Sequence, residues 1–202
     1  MSTPRPETTI RVFATSASYI GIKGSIKIPT TLSVSGGYVD WYFGLGNAIV
    51  EAGVSYTGTK FRTPIKITSA AGEPIIGTSK DDITGIKPGD VVPIQLLHDR
   101  SNHTISVWVN GLKVWDRISI LDSNGNDVLG MASTAKMVFG LDDQGASSYS
   151  QASFSLMKLQ KTDGTWIDWN SNVPWTPSPS GSASSFNLSS YIPLSASLSA
   201  NS

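Results

Sequence analysis

Apolar and polar residues alternate with period two along most of the chain, and this pattern predicts a series of short strands. Ala48, Val50, Ala52, Val54 and Tyr56 line one face of a strand. Ile49, Glu51, Gly53 and Ser55 line the other, because strand side chains alternate. Phe61, Thr63, Ile65 and Ile67 repeat the pattern against Lys60, Arg62, Pro64 and Lys66. Val39 to Phe43 reads as a strand from its aromatic and β-branched residues, and a first strand region runs from near Ile10 to Pro29. Further on, Lys87-Pro88-Gly89-Asp90 turns into a strand from Val91 to Leu97, and Asp99 to Asn102 makes a hairpin loop into Thr104 to Val109. Asn110-Gly111 is the strongest short hairpin signal, with Leu112 to Ile120 returning behind it. Met137, Phe139 and Leu141 alternate with Lys136, Val138 and Gly140, and the pattern continues through Ser153 to Leu159 and Trp166 to Trp169. No window carries helical periodicity with a cap at both ends. About ten strands separated by turns predict an all-β fold, an antiparallel two-sheet β-sandwich.

Composition narrows the picture. A chain of 202 residues can bury a sizeable core without staples, and cysteine is absent, which removes disulfides, thiolate metal sites and a cysteine nucleophile. The sandwich is expected over residues 1–169. Beyond Asn170 the chain turns rich in Pro, Ser and Ala, including Pro174, Pro177 and Pro179, so 170–202 reads as a tail, either free or docked with a strand between Phe186 and Leu194. Fifteen basic residues balance fifteen acidic ones, and without a basic face no nucleic-acid partner is expected. No apolar run is long enough to cross a bilayer, so no membrane partner is expected either. Met1 to Pro6 lacks the apolar core of a signal peptide, leaving a cytoplasmic protein or a secreted one with its signal removed.

The run from Asp40-Trp41-Tyr42-Phe43-Gly44 through Ala48-Ile49-Val50-Glu51-Ala52-Gly53-Val54 to Tyr56 resembles the fungal glutamic peptidases, or eqolisins, which have a concanavalin A-like jelly-roll fold. The resemblance continues at Asp82-Ile83-Thr84, Pro88-Gly89-Asp90-Val91, Val109-Asn110-Gly111 and Tyr149 to Leu159, and covers roughly residues 38 to 170. It implies two seven-stranded sheets bent around a concave groove. It also implies a glutamine and a glutamate on that groove, the glutamate exchanging a proton with water and the glutamine holding the oxyanion. At the matching positions stand Glu51 and Lys136. An ammonium does not take a proton from water unless burial lowers its pKa strongly, and a carboxylate facing it forms an ion pair, so catalysis by that dyad is disfavoured. The two residues are expected on adjacent strands with their charged ends close.

Other constellations are weaker. The glutamates are Glu7, Glu51 and Glu73, none with an acidic partner two residues away, and Asp142 and Asp143 are adjacent, so the paired carboxylates of a glycosidase are missing. His98 and His103 flank a hairpin and could meet, with Asp99, around a metal; a solvated hairpin tip is the preferred account of them. Asp122, Asn124, Asn126 and Asp127 offer the oxygens calcium prefers, but Asp127 stands where such loops want glycine, and turn chemistry explains the same residues. No cofactor is expected, with calcium at that loop the single candidate. Trp108 alternates against Ile105, Val107 and Val109, placing a flat aromatic on the outer face beside Ser106 and Asn110, as suits a sugar ring; cover by the second sheet or the tail accounts for it as well. The function expected is a carbohydrate- or ligand-binding module without catalysis, using the concave face around Glu51, Lys136, Arg62 and Trp41, with Trp108 a further candidate contact. The alternatives are a hydrolase of the glutamic-peptidase kind and an assembly protein. The oligomeric state stays open.

Overall fold

The computed structural model describes residues 3–15, 18–47, 49–82, 84–130, 134–178 and 185–201. Ala48, Ile83 and Pro179, named above, lie outside them. Sixteen strands follow one another among the described residues. They are β1 (Arg5–Ala14), β2 (Tyr19–Lys27), β3 (Leu32–Ser33), β4 (Tyr38–Leu45), β5 (Val50–Tyr56), β6 (Phe61–Thr68), β7 (Pro74–Asp81) and β8 (Val91–Asp99). There follow β9 (Thr104–Val109), β10 (Leu112–Ser119), β11 (Ala135–Asp143), β12 (Ser148–Lys161), β13 (Trp166–Asp168), β14 (Trp175–Pro177), β15 (Phe186–Tyr191) and β16 (Leu194–Leu198).

One sheet runs β14-β1-β11-β4-β5-β6-β7, and the other β10-β9-β8-β2-β12-β16-β15, with the short β3 and β13 also pairing with β12. Every pairing is antiparallel. The second sheet therefore has nine strands rather than the seven the resemblance implies. The single strand region expected from Ile10 to Pro29 is two strands, one in each sheet, because the chain crosses between sheets after Ala14. The edge strand β7, half-exposed and weakly patterned, gave no clear alternation and was not expected.

The core lies between the sheets. Ile10, Val12, Trp41, Phe43, Val54, Ile65 and Phe139 of the first sheet meet Ile22, Ile26, Leu96, Val107 and Phe154 of the second. Burying each such side chain contributes roughly 1.5–3 kcal/mol. Aromatic contacts bridge the layers: Phe154 packs on Phe43 and Phe139 with ring centroids 4.9 and 5.2 Å apart, and Trp41 meets Tyr149 edge-on at 5.6 Å.

Described residues past Asn170 add strands to both sheets. β14 pairs with β1, β16 pairs with β12, and Phe186, Leu194, Ala196 and Leu198 are buried in the common core. Alternation in β16 places Leu194, Ala196 and Leu198 inward, with Ser195 and Ser197 between them, so a Ser- and Ala-rich segment still supplies a core face.

Candidate functional site in the cleft of the seven-stranded sheet

Because Val39, Trp41, Phe43 and Leu45 of β4 point into the core, Tyr38, Asp40, Tyr42 and Gly44 point the opposite way. The same parity on β5 turns Glu51, Gly53 and Ser55 outward, and on β6 Arg62, Pro64 and Lys66. Together with Glu7 from β1, these strands line a cleft of about 240 Å³ on the outer face of the seven-stranded sheet.

Glu51 and Lys136 face this side and form an ion pair through Oε1 and Nζ. Their charged ends are close, as expected, but their strands are not adjacent. β5 and β11 flank β4, and Gly44 stands between the two residues, in register with both. Glycine is required here by space rather than by backbone conformation. A Cβ on Gly44 would collide with Cε of Lys136 and crowd its Cγ and the Val50 carbonyl. Gly44→Ala is therefore expected to force the lysine off Glu51 and to lower stability by about 1–3 kcal/mol. Chemical denaturation measures this, and an unchanged midpoint would count against the crossing over Gly44.

The Lys136 side chain is wholly buried, whereas that of Glu51 keeps 13% exposure at the cleft wall. The Lys136 ammonium nitrogen lies 6.0 Å from the ring centre of Phe13 and 5.9 Å from that of Tyr42. Burial pushes the Lys136 ammonium below the ordinary lysine value, and the facing carboxylate of Glu51 only partly restores it. At the other end of the cleft, Asp40 is pushed up to about 8 by burial and then by the charges of Glu51 and Glu7. Its carboxyl thus holds its proton at neutral pH. Burial, followed by the neighbouring Asp40, also raises the Tyr38 and Tyr42 phenols, so both stay neutral.

The expected site residues are thus divided. Glu51, Lys136 and Arg62 share the outer face of the first sheet, and Glu51 and Arg62 line the cleft. Trp41 does not: it is fully buried between the sheets, because the parity that exposes Asp40 and Tyr42 turns it inward. Trp108 lies on the outer face of the second sheet, opposite Gln95 and Lys113 in register, across the sandwich from Glu51. Its expected core neighbours Ile105, Val107 and Val109 are fully buried. Asp40, Tyr38, Tyr42 and Ser55 were missed as cleft residues, although the period-two signal of β4 and β5 carried them.

The loop after β10 is held by its own backbone. The carboxylate of Asp122 accepts from the amides of Asn124 and Asn126. Asp127 accepts from the Leu129 and Gly130 amides through Oδ1, and both His98 and His103 bond its Oδ2. The histidines therefore meet on Asp127 rather than on Asp99, which instead caps its own hairpin through Ser101 and Asn102. Among the described residues, no cluster of three His, Asp or Glu side chains has the arrangement of a metal site.

Comparison with solved structures finds this architecture in scytalido-glutamic peptidase, crystallised with a peptide-based transition-state analogue. The TM-score is 0.64 at 14% identity, over 97% of this chain and 98% of that one. The fold is shared. A family 16 glycoside hydrolase of Bacteroides ovatus, in complex with a product, aligns at TM-score 0.44 and 18% identity over 69% of this chain and 68% of its own. The catalytic domain of an endo-1,3-β-glucanase from Thermotoga petrophila aligns at 0.43 and 12% identity over 67% and 66%. No protein-family model and no curated protein matches the chain.

Proposed function

We propose that this protein is a non-catalytic binding module that takes a glycan in the cleft of its seven-stranded sheet. The observation that carries this reading is the ion pair of Glu51 with the buried Lys136. A general acid or base must exchange a proton at a reacting atom. Glu51 is instead clamped by an ammonium removed from solvent, so the cleft keeps the form of a substrate groove with its acid–base centre neutralised. What surrounds the clamp suits recognition. Tyr38 and Tyr42 offer rings to the apolar C–H face of a sugar, and Asp40, Ser55 and Arg62 offer polar contacts to its edges.

A glycan-array screen followed by calorimetry tests this, with Glu51→Ala, Tyr38→Ala and Trp108→Ala variants alongside the wild type. Binding that Tyr38→Ala loses and Trp108→Ala keeps supports the cleft. Loss only in Trp108→Ala would move the site to the opposite sheet. Cleavage of a denatured protein at acid pH, abolished by Glu51→Gln, would replace this reading with a hydrolase. A large, concentration-dependent mass together with an empty array would replace it with an assembly protein.

A further inference from the structure

Three polar atoms along the cleft are sealed from solvent and lack a matched partner: Oδ1 of Asp40, whose carboxyl also takes a backbone hydrogen bond at Gly140, Oγ of Ser55 and Nε of Arg62. They are not scattered. Asp40 is in register with Ser55 across β4 and β5, and Ser55 with Arg62 across β5 and β6. The three residues form one row across three strands, four residues along β5 from Glu51. On the far side of Asp40, Gly140 of β11 is in register and leaves the carboxyl its space, since any Cβ there would collide with Oδ1.

A buried donor or acceptor left unmatched costs stability, and folded proteins leave few of them. Three in a single row, on side chains that line one cleft, point to a ligand that completes them when those side chains turn towards it. Their chemistry says what. Arg62 Nε can only donate, and the Ser55 hydroxyl can donate. Asp40, holding its proton at neutral pH, can donate as well. With Glu51 neutralised by Lys136, the charged groups left at the lining are Arg62 and Lys66 against Glu7. Three donors beside a cationic excess of one suit an anion that presents two acceptor oxygens, as a carboxylate does.

We propose that the Asp40–Ser55–Arg62 row binds the carboxylate of an acidic glycan, so that the cleft selects uronic acid residues. This rests on the glycan-binding reading above and adds the class of sugar. The test is calorimetric titration with oligogalacturonate and with the same oligomer fully methyl-esterified, which keeps the ring and removes the charge. The free acid is expected to bind about tenfold or more tightly, as charge-assisted hydrogen bonds are stronger than neutral ones. Ser55→Ala and Arg62→Gln should bring that ratio towards one, the free acid losing more affinity than the ester. Ser55→Ala should also melt no lower than the wild type, because its Oγ bonds nothing in the free protein; a merely structural serine would melt lower.

Equal affinity for acid and ester overturns the carboxylate site while the glycan reading stands. Binding of neither, when the array returns a neutral glycan, does the same. Binding only of a peptide with a free C-terminal carboxylate, lost on amidation, overturns both.

Discussion

Replacing Arg5 by alanine is expected to lower stability by roughly 3–5 kcal/mol, the range for removing one member of a buried ion pair. The guanidinium, only 2% exposed, forks onto Asp143 with Nε to Oδ1 at 2.8 Å and Nη2 to Oδ2 at 2.7 Å. It also donates to the carbonyls of Ser147 and Ser199, at 2.8 and 2.7 Å. One side chain thereby ties β1 to the β11–β12 loop and to the chain leaving β16. Alanine would leave the fully buried Asp143 carboxylate with the amides of Gly145 and Ser147 and the Ser147 side chain as partners and no countercharge. Arg5→Lys is not expected to rescue, since an ammonium cannot form the two parallel bonds of the fork. An apolar pair at positions 5 and 143 should also remain destabilised, because those two loop amides would then lack their acceptor. Urea denaturation reads all three variants, and a midpoint for Arg5→Ala equal to the wild type would remove the pair from the account.

The same pair gives stability a pH dependence of known sign. Burial pushes the Asp143 carboxyl up, but the hydrogen bonds from Arg5, Ser147 and Gly145 outweigh it and hold the group at about 2 against an ordinary 3.8. A carboxylate depressed in the folded state contributes fully above its unfolded value. That contribution, about 2 kcal/mol, is lost as pH falls from near 4 towards 2. In Arg5→Ala the acid limb of the stability curve should be flatter over this interval.

How far the sequence showed these features depends on whether each was encoded locally. Alternation placed Glu51, Gly53 and Ser55 on one face of β5 and Ile105, Val107 and Val109 in the core, because both follow from neighbours two residues away. Trp41 was misplaced on the cleft, although the same rule, applied to Val39, Trp41 and Phe43, puts all three in the core and exposes Asp40 and Tyr42. The meeting of Glu51 with Lys136 was legible through the family resemblance, but the intervening β4 was not, since strand order joins segments 85 residues apart. Arg5 gave no signal. Its partners lie 138 to 194 residues away, and a basic residue between two prolines near the chain start reads as solvated until the last strands close the sheet. The tail was ambiguous for a related reason: Leu194, Ala196 and Leu198 alternate, but serine and alanine declare their burial only through the strand they pair with.

Glu51→Gln is expected to cost on the order of 3 kcal/mol at neutral pH. The amide occupies the same space but leaves the Lys136 ammonium, with no exposed side-chain surface, facing no countercharge. Burial already holds that ammonium below its ordinary 10.5, and Glu51 is the main influence raising it. Without Glu51 it falls further. Between the depressed folded value and 10.5, the unfolded chain then binds more protons than the folded one, so the variant's stability should rise with pH through that interval. Below the folded value the full penalty applies. Adding Lys136→Met removes the buried charge, and the double variant should recover most of the loss and show no such rise, since apolar residues of similar volume replace a buried pair with little cost. Denaturation midpoints at neutral and alkaline pH read both effects. A single variant as stable as the wild type, or a double variant no better than the single, would mean that the two positions are uncoupled. With the coupling present, position 51 is committed to a carboxylate for as long as position 136 is a lysine.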